Sequence, residues 1–398
     1  MHDMKHDMKS GAGGWEEQTM AAVSLDVAEA QRRLVRRSDM VACKLAFIDC
    51  KMPGSERKEN YSLIGAGVSQ SADQVVNIVE PHGFSLGVAA MPARTVNNLH
   101  LHYTAEVFMI FSGQWTFRWG PDGRDGEITG GPGDVVSVPT WIFRGFTNSG
   151  NDDGWIFTAL GGDDTGGIIW HPSILDTAMR HGMYLTRQNM LVDTGAGAPT
   201  PKPDELLTPI DRPSIEGLRR YSVDEMRRRV VTLDGRRWSN RALLDSVLPG
   251  HGSELAPVLG FGMTEDRDQE TPVANPHGFS LDWLRITPGN AVGRFALEQK
   301  QVLIVFHGAI EVTLDGGVTV RVESQDLFSV PPGVWRSIAS VGDEPAEVAM
   351  LIAGDERKRV TWDAAVTGEA ARAGFGIDRN GYLALRHLLP EAQSLAAE

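Results

Sequence analysis

His100 and His102 stand two residues apart, and Glu106 follows four later. In an extended strand the side chains at i and i+2 share a face, so His100, His102 and, in phase with them, Glu106 project together. Two imidazoles and a carboxylate on one face suit a divalent transition metal. The same three residues could instead form a polar network without metal. Val107 to Phe111 is rich in β-branched and aromatic residues and reads as a buried strand, and Gly113 reads as the turn after it. Trp115, Phe117 and Trp119 alternate along the next stretch. They are candidates for a substrate pocket, with core packing as the competing reading. Further on, Gly133-Asp-Val-Val-Ser-Val-Pro139-Thr-Trp141-Ile-Phe-Arg144 reads as another strand and turn. It ends on an arginine, which has no lone pair to offer a metal.

These residues need a scaffold, and the chain repeats itself to build one. Pro81-His-Gly-Phe-Ser-Leu86 recurs as Pro276-His-Gly-Phe-Ser-Leu281, an offset of 276 − 81 = 195. After a shorter hairpin the offset becomes 331 − 139 = 192, which carries Arg144 to Arg336 and Trp170 to Trp362. A repeat of this length is evidence of tandem homologous units. Both copies show short strands separated by Gly, Pro, Asp and Asn, as expected of jelly-roll barrels. The second copy places Phe295, Leu297 and Gln301 where the first has His100, His102 and Glu106. The scaffold therefore does not require the histidines. Arg144 and Arg336 occur in both copies, which favours an architectural role with the stem packed on Trp141 or Trp335. The alternative is a bidentate clamp on an anionic substrate. An ion pair between Arg144 and Glu106 is expected. His82 and His277, also shared, read as structural.

The stretch His100 to Gly113 resembles the first motif of the cupin superfamily: Gly, five residues, His-x-His, three or four residues, Glu, six residues, Gly. Arg94 stands where the leading glycine would be. Gly133 to Asn148 resembles the second motif, with Trp141 in place of its turn glycine and Arg144 in place of its histidine, the fourth metal ligand. The resemblance implies an all-β bicupin, two tandem cupin jelly-roll barrels with an N-terminal helix and a short helix after each barrel. It implies one divalent transition metal per chain, Fe(II) first, with Mn, Ni or Zn as alternatives, held by His100, His102 and Glu106. The protein looks like non-heme bicupin dioxygenases acting on a small, oxygenated, perhaps aromatic substrate, with Arg144 holding a carboxylate and Trp141 near the pocket. Cupins also include isomerases, lyases and plain binding proteins.

The expected divisions are a disordered tail over 1–17, a helix over 18–39 and a metal-bearing barrel over 40–185. A connector over 186–234, a second barrel over 235–375 and a terminal segment over 376–398 follow. Met20, Val23, Val27, Ala30 and Leu34 recur at helical spacing, either packing on the barrel or reaching a second subunit. In the connector, the Pro-rich part reads as loop and the Arg-rich part as surface. Helices are expected over 171–181 and 363–373, stopped by Gly182 and Gly374. The net charge of −14 argues against nucleic acid or an anionic membrane as partner. Two cysteines, Cys43 and Cys50, suggest a reducing, cytoplasmic setting, and a homodimer or higher homo-oligomer is expected because bare strand edges invite partners.

Overall fold

The computed structural model describes residues 23–390. The expected tail, the start of the expected helix and residues 391–398 lie outside the described residues. The first unit pairs a seven-stranded sheet with a five-stranded one. The seven run in the order Val230–Val231, Val135–Val138, Glu106–Ser112, Gly154–Gly161, Phe84–Met91, Glu59–Ile64, Val76–Ile78. The five run Ile169–Trp170, Val96–Leu101, Arg144–Asn148, Trp115–Trp119, Gly126–Gly130. The second unit repeats this order with Leu34–Val35, Leu327–Val330, Gln301–His307, Ala346–Ala353, Phe279–Ile286, Ser253–Leu259 facing Thr361–Trp362, Ala291–Ala296, Arg336–Ser340, Ala309–Leu314, Thr319–Glu323. The protein is thus all-β, two jelly-roll units in tandem. Helices Pro172–Arg180 and Ala364–Arg372 follow them, capped by His171 and Asp363. Gly182 and Gly374 sit just beyond, in the left-handed conformation that ends helices.

The strand Glu106–Ser112 is buried on both faces for a reason. Phe108 and Ile110 point into the first unit's interior. Val107 and Met109 point outward into a second core shared with Phe279, Leu281, Trp283 and Val302 of the other unit. The two large sheets therefore pack face to face, with the Phe84 and Phe279 rings 5.3 Å apart. His82 and His277 join this interface reciprocally: His82 Nε2 lies 2.7 Å from Ser329 Oγ, and His277 Nε2 lies 2.7 Å from Ser137 Oγ. Each repeat's signature histidine thus bonds the other repeat, which is the structural role expected of it.

Burial lowers His277 from 6.5 to about 4 and lowers His82 as well. A depressed imidazole contributes stability that is present above the unfolded value near 6.5 and lost as pH falls through the folded one. Denaturation midpoints should accordingly drop between pH 7 and pH 4. The drop should be shallower in His277→Gln; an equally steep drop would remove His277 as a source of acid sensitivity.

Two expectations need correction. The helix over 18–39 is, among the described residues, only Val27–Arg32. It stops because Leu34–Val35 adds as a strand to Phe328 and Leu327 of the second unit. Leu25, Ala30 and Leu34 lie in that unit's core. The apolar spacing was real, but Leu25, Ala30 and Leu34 are spent on clasping the far half of the same chain. The Arg-rich connector also does not simply lie on the surface. Its Met226 is buried in the first unit's core, and Trp119 Nε1 donates to Tyr221 O at 2.9 Å. Val230–Val231 then pairs with Val136 and Val135 of the first unit. The two arms are exchanged: each unit's leading strand completes the other unit's sheet.

Candidate metal centre

His100 is the last residue but one of strand Val96–Leu101, His102 follows it, Glu106 opens the next strand, and Arg144 opens the strand paired with His100. All four are 1–4% exposed. One donor atom each from His100, His102 and Glu106 lies within 4.8 Å of the others. His100 Nδ1 is 2.6 Å from Asn98 O, and His102 Nδ1 is 3.1 Å from Gly167 O. A carbonyl can only accept, so each Nδ1 carries its proton and each Nε2 keeps a lone pair. That tautomer is the one a metal-binding imidazole needs. Burial, and then the Arg144 charge, holds both imidazoles well below their ordinary value, so they are neutral.

Arg144 donates from Nε (3.2 Å) and Nη2 (3.0 Å) to Glu106 Oε2, and from Nη1 to Ile142 O (3.4 Å). Burial raises the Glu106 carboxyl above its ordinary value, and the Arg144 guanidinium offsets only part of that rise. Both bonds end on Oε2; among the described residues Oε1 accepts none. The expected ion pair is present and competes for Oε2, the oxygen 3.7 Å from His102 Nε2, so a metal would draw on Oε1 or share Oε2 with the guanidinium. The donor set therefore fits a divalent ion.

The second unit repeats the arginine without the site. Arg336 donates from Nη2 to Gln301 Oε1 (2.6 Å) and from Nη1 to Val334 O (2.9 Å), over the Phe295 ring at 4.4 Å. Phe295 and Leu297 are fully buried. The stems do not pack as expected: Trp335 stacks with Arg294 at 4.7 Å, and Trp141 meets Tyr103 at 5.1 Å. Arg94 and Trp141 adopt φ of 66° and 57°, while their counterparts Gly289 and Gly333 adopt 74° and 75°. The fold demands a left-handed residue at both places, and the first unit meets that demand without glycine, at a strain cost of about 1–2 kcal/mol each.

A cavity of about 50 Å³ opens beside the site, walled by Phe47, Lys58, Asn97, His100, His102 and Glu106 among others. Trp115, Phe117 and Trp119 do not line it. They are buried with Phe108 and Phe146 in the sandwich core, so core packing is the role the structure gives them. Trp141 is 44% exposed and lies outside the cavity; its N–H donates to His102 O at 3.3 Å, bracing the ligand loop. Cys50 also borders the cavity, but burial and then Asp49 push its thiol up to about 11, which makes it a poor nucleophile. The residue that sequence reasoning missed is Lys58. It pairs with buried Asp49 and donates to Asn97 Oδ1 at 2.7 Å. Nothing around it forms a motif; only a comparison of the two repeats could have found it.

Tandem jelly-roll units, one of them bearing two histidines and a glutamate at the mouth between its sheets, define a two-domain cupin architecture. Residues 283–352 match the family model described as a cupin domain, and the whole chain shares the two-unit fold of the solved structures it resembles. No curated protein matches the sequence. Among solved structures, the chain is similar to Lactobacillus farciminis oxalate decarboxylase in a formate complex (11% identity, TM-score 0.50, 81% of this chain and 86% of that one). A variant of Bacillus subtilis oxalate decarboxylase gives 11% identity, a TM-score of 0.52 and coverage of 95% and 84%. Hazelnut (Corylus avellana) vicilin gives 11%, 0.48, 92% and 94%. No helix among the described residues is long and apolar enough to cross a membrane.

Proposed function

We propose that the first unit is the active half of a metal-dependent enzyme, with one divalent transition metal per chain held by His100, His102 and Glu106. The observation that carries this reading is the pair of buried, neutral imidazoles whose Nδ1 protons are tied to carbonyls, beside a carboxylate with a free oxygen. Two histidines and one carboxylate with open positions form the facial triad of non-heme Fe(II) oxygenases, which favours iron and a dioxygenase. Mn, Ni and Zn are the alternatives. Bound there, such an ion supplies Lewis acidity and a template for the substrate. The chain's own residues do the rest. Asn98 O and Gly167 O orient the imidazoles, Arg144 aims Glu106 and opposes the effect of its burial, and the apolar wall of Phe47, Phe146, Leu160 and Ile168 restricts water.

The cavity favours a second reading, a lyase on a compact acid. An apolar cavity of roughly 150 Å³ takes benzene, whereas this one offers about 50 Å³. A substrate of a few carbon atoms fits better than an aromatic ring. The oxalate decarboxylases named above act on such a compound, although likeness at 11% identity bears on fold alone. The deciding experiment presents small keto, hydroxy and dicarboxylic acids with and without O₂. Oxygen uptake that tracks metal content is expected of the dioxygenase. Carbon dioxide release without oxygen uptake would establish the lyase. Turnover unchanged after chelation, in protein shown by elemental analysis to lack metal, would overturn both, and a metal-loaded protein that binds acids without turnover would be a binding bicupin.

A further inference from the structure

The two repeats form a subtraction experiment within one molecule. Strand Glu59–Ile64 occupies the place of Ser253–Leu259: Tyr61 pairs with Val88, Ala256 pairs with Trp283, and 256 − 61 = 283 − 88 = 195. The same offset sets Lys58 against Ser253, Asn97 against Val292 and Asn98 against Gly293. Residues that both units keep at equivalent places belong to the scaffold. They include Arg144 with Arg336, Trp170 with Trp362 and, within Ile48–Lys51 and Leu244–Val247, Asp49 with Asp245. The buried or cavity-lining polar residues that the second unit replaces are His100, His102, Glu106, Lys58 and Asn97, together with Asn60 and Thr158, whose places are taken by Leu255 and Met350; Lys58 is the buried cation among them.

Lys58 thus sorts with the ligands, and Arg144 sorts with the scaffold. Its scaffold explanation would be that Asp49 needs a buried counter-charge. The second unit shows that such a need does not call for a lysine at this place. Asp49 accepts from Asn98 N at 3.2 Å, and Asp245 likewise accepts from Gly293 N at 2.5 Å. Asp245 persists there with no lysine, drawing on His251 at 3.1 Å instead. Lys58 is also oriented toward a ligand's needs. Its ammonium has three donors. Asp49 and Asn97 take two, and among the described residues the third has no acceptor. The Nζ stands 5.2 Å from the Phe47 ring and 5.9 Å from the Trp170 ring, and His100 lies against the same Trp170 at 5.4 Å. Metal-site imidazole and ammonium therefore share one aromatic wall. Arg144, by contrast, spends its donors on Glu106 and Ile142.

We propose that Lys58 is the group that recognises the anionic end of the substrate, which makes the first unit's substrate a small carboxylate. This rests on the first unit being the active half, as proposed above. Asp49 and Asn97 are positioning residues: they fix two donors so that the third faces the cavity.

The test is calorimetric titration of the full chain, with and without one equivalent of Zn²⁺, using acetate and its uncharged isostere acetamide. Wild type, Lys58→Gln and the double variant Asp49→Asn/Lys58→Gln are compared, with metal content measured on each. The double variant removes both charges of the buried pair, so a folded protein is available even if the single variant strands Asp49 and unfolds. Wild type is expected to bind acetate and discriminate against acetamide. Both variants should bind acetate about tenfold or more weakly at unchanged metal content, as expected for loss of a charge-assisted hydrogen bond. The discrimination against acetamide, which a merely structural lysine would not control, should shrink with it. Variants that retain metal and bind acetate as wild type does would overturn the assignment, as would a wild type that does not distinguish acetate from acetamide. If wild type holds no metal yet its acetate binding still depends on Lys58, the metal reading fails and the Lys58 assignment stands.

Discussion

His102→Leu is expected to reduce bound metal from about one ion per chain to near none, while the metal-free protein keeps its fold. One of three protein ligands is lost, and even losing a hydrogen bond behind a ligand typically weakens metal affinity by about 10–100-fold. Leucine is the informative choice because Leu297 fills this position in the second unit, fully buried, so the scaffold has already accepted it. Thermal midpoints of the metal-free proteins should agree within a few degrees. Elemental analysis is the decisive measurement. Two tightly held ions per wild-type chain, or an ion retained by His102→Leu, would sink the ligand assignment. Unfolding of the variant without metal would make His102 a structural residue.

The second large effect separates the two arginines. Arg144→Met removes the partner of a buried carboxylate and is expected to destabilise the metal-free protein by roughly 3–5 kcal/mol. Arg336→Met removes a charge that has only neutral partners. Burial lowers that guanidinium to about 9, and its Nε has no acceptor. The loss there leaves two neutral acceptors bare, Gln301 Oε1 and the Val334 carbonyl, at about 1–3 kcal/mol for each such group, offset by relief of the buried charge; the second has its equal in the Ile142 carbonyl bared by Arg144→Met. Arg144→Met should therefore unfold at a clearly lower denaturant concentration than Arg336→Met. Equal midpoints would show that the Arg144–Glu106 contact is worth no more than its neutral counterpart.

The cluster of His100, His102 and Glu106 was legible because strand geometry makes i and i+2 coincide, and because the second repeat erases the same three positions. The repeat also exposed the architecture, since 195 residues separate two copies of the same six. What stayed hidden has a common cause. Leu34–Val35 and Val230–Val231 are two-residue strands, too short to show any period, and each takes its conformation from a partner far away in the chain. Leu34 also fell in phase with the preceding helix, so the helix was read too long. Lys58 sits nine residues from Asp49, and their pairing depends on how a turn enters the sheet rather than on spacing. The alternation of Trp115, Phe117 and Trp119 correctly indicated a strand, but period alone does not say whether a face looks onto a cavity or into a core.

The exchanged arms bear on how a ribosome delivers this molecule. Leu34 is made early, yet its partner Phe328 emerges 328 − 34 = 294 residues later. At about 5–20 residues per second that is a wait of roughly 15–60 s. Val135 of the first unit likewise cannot close its sheet until Val231 has been synthesised. Neither half is therefore finished when its own residues have left the exit tunnel, and the nascent chain must carry an open sheet edge and a loose apolar arm together. Those are the features that recruit chaperones or pair with a neighbouring nascent chain. Expressing either half alone would make that transient state permanent, because each would keep an arm with nothing to clasp and an edge with nothing to cover it.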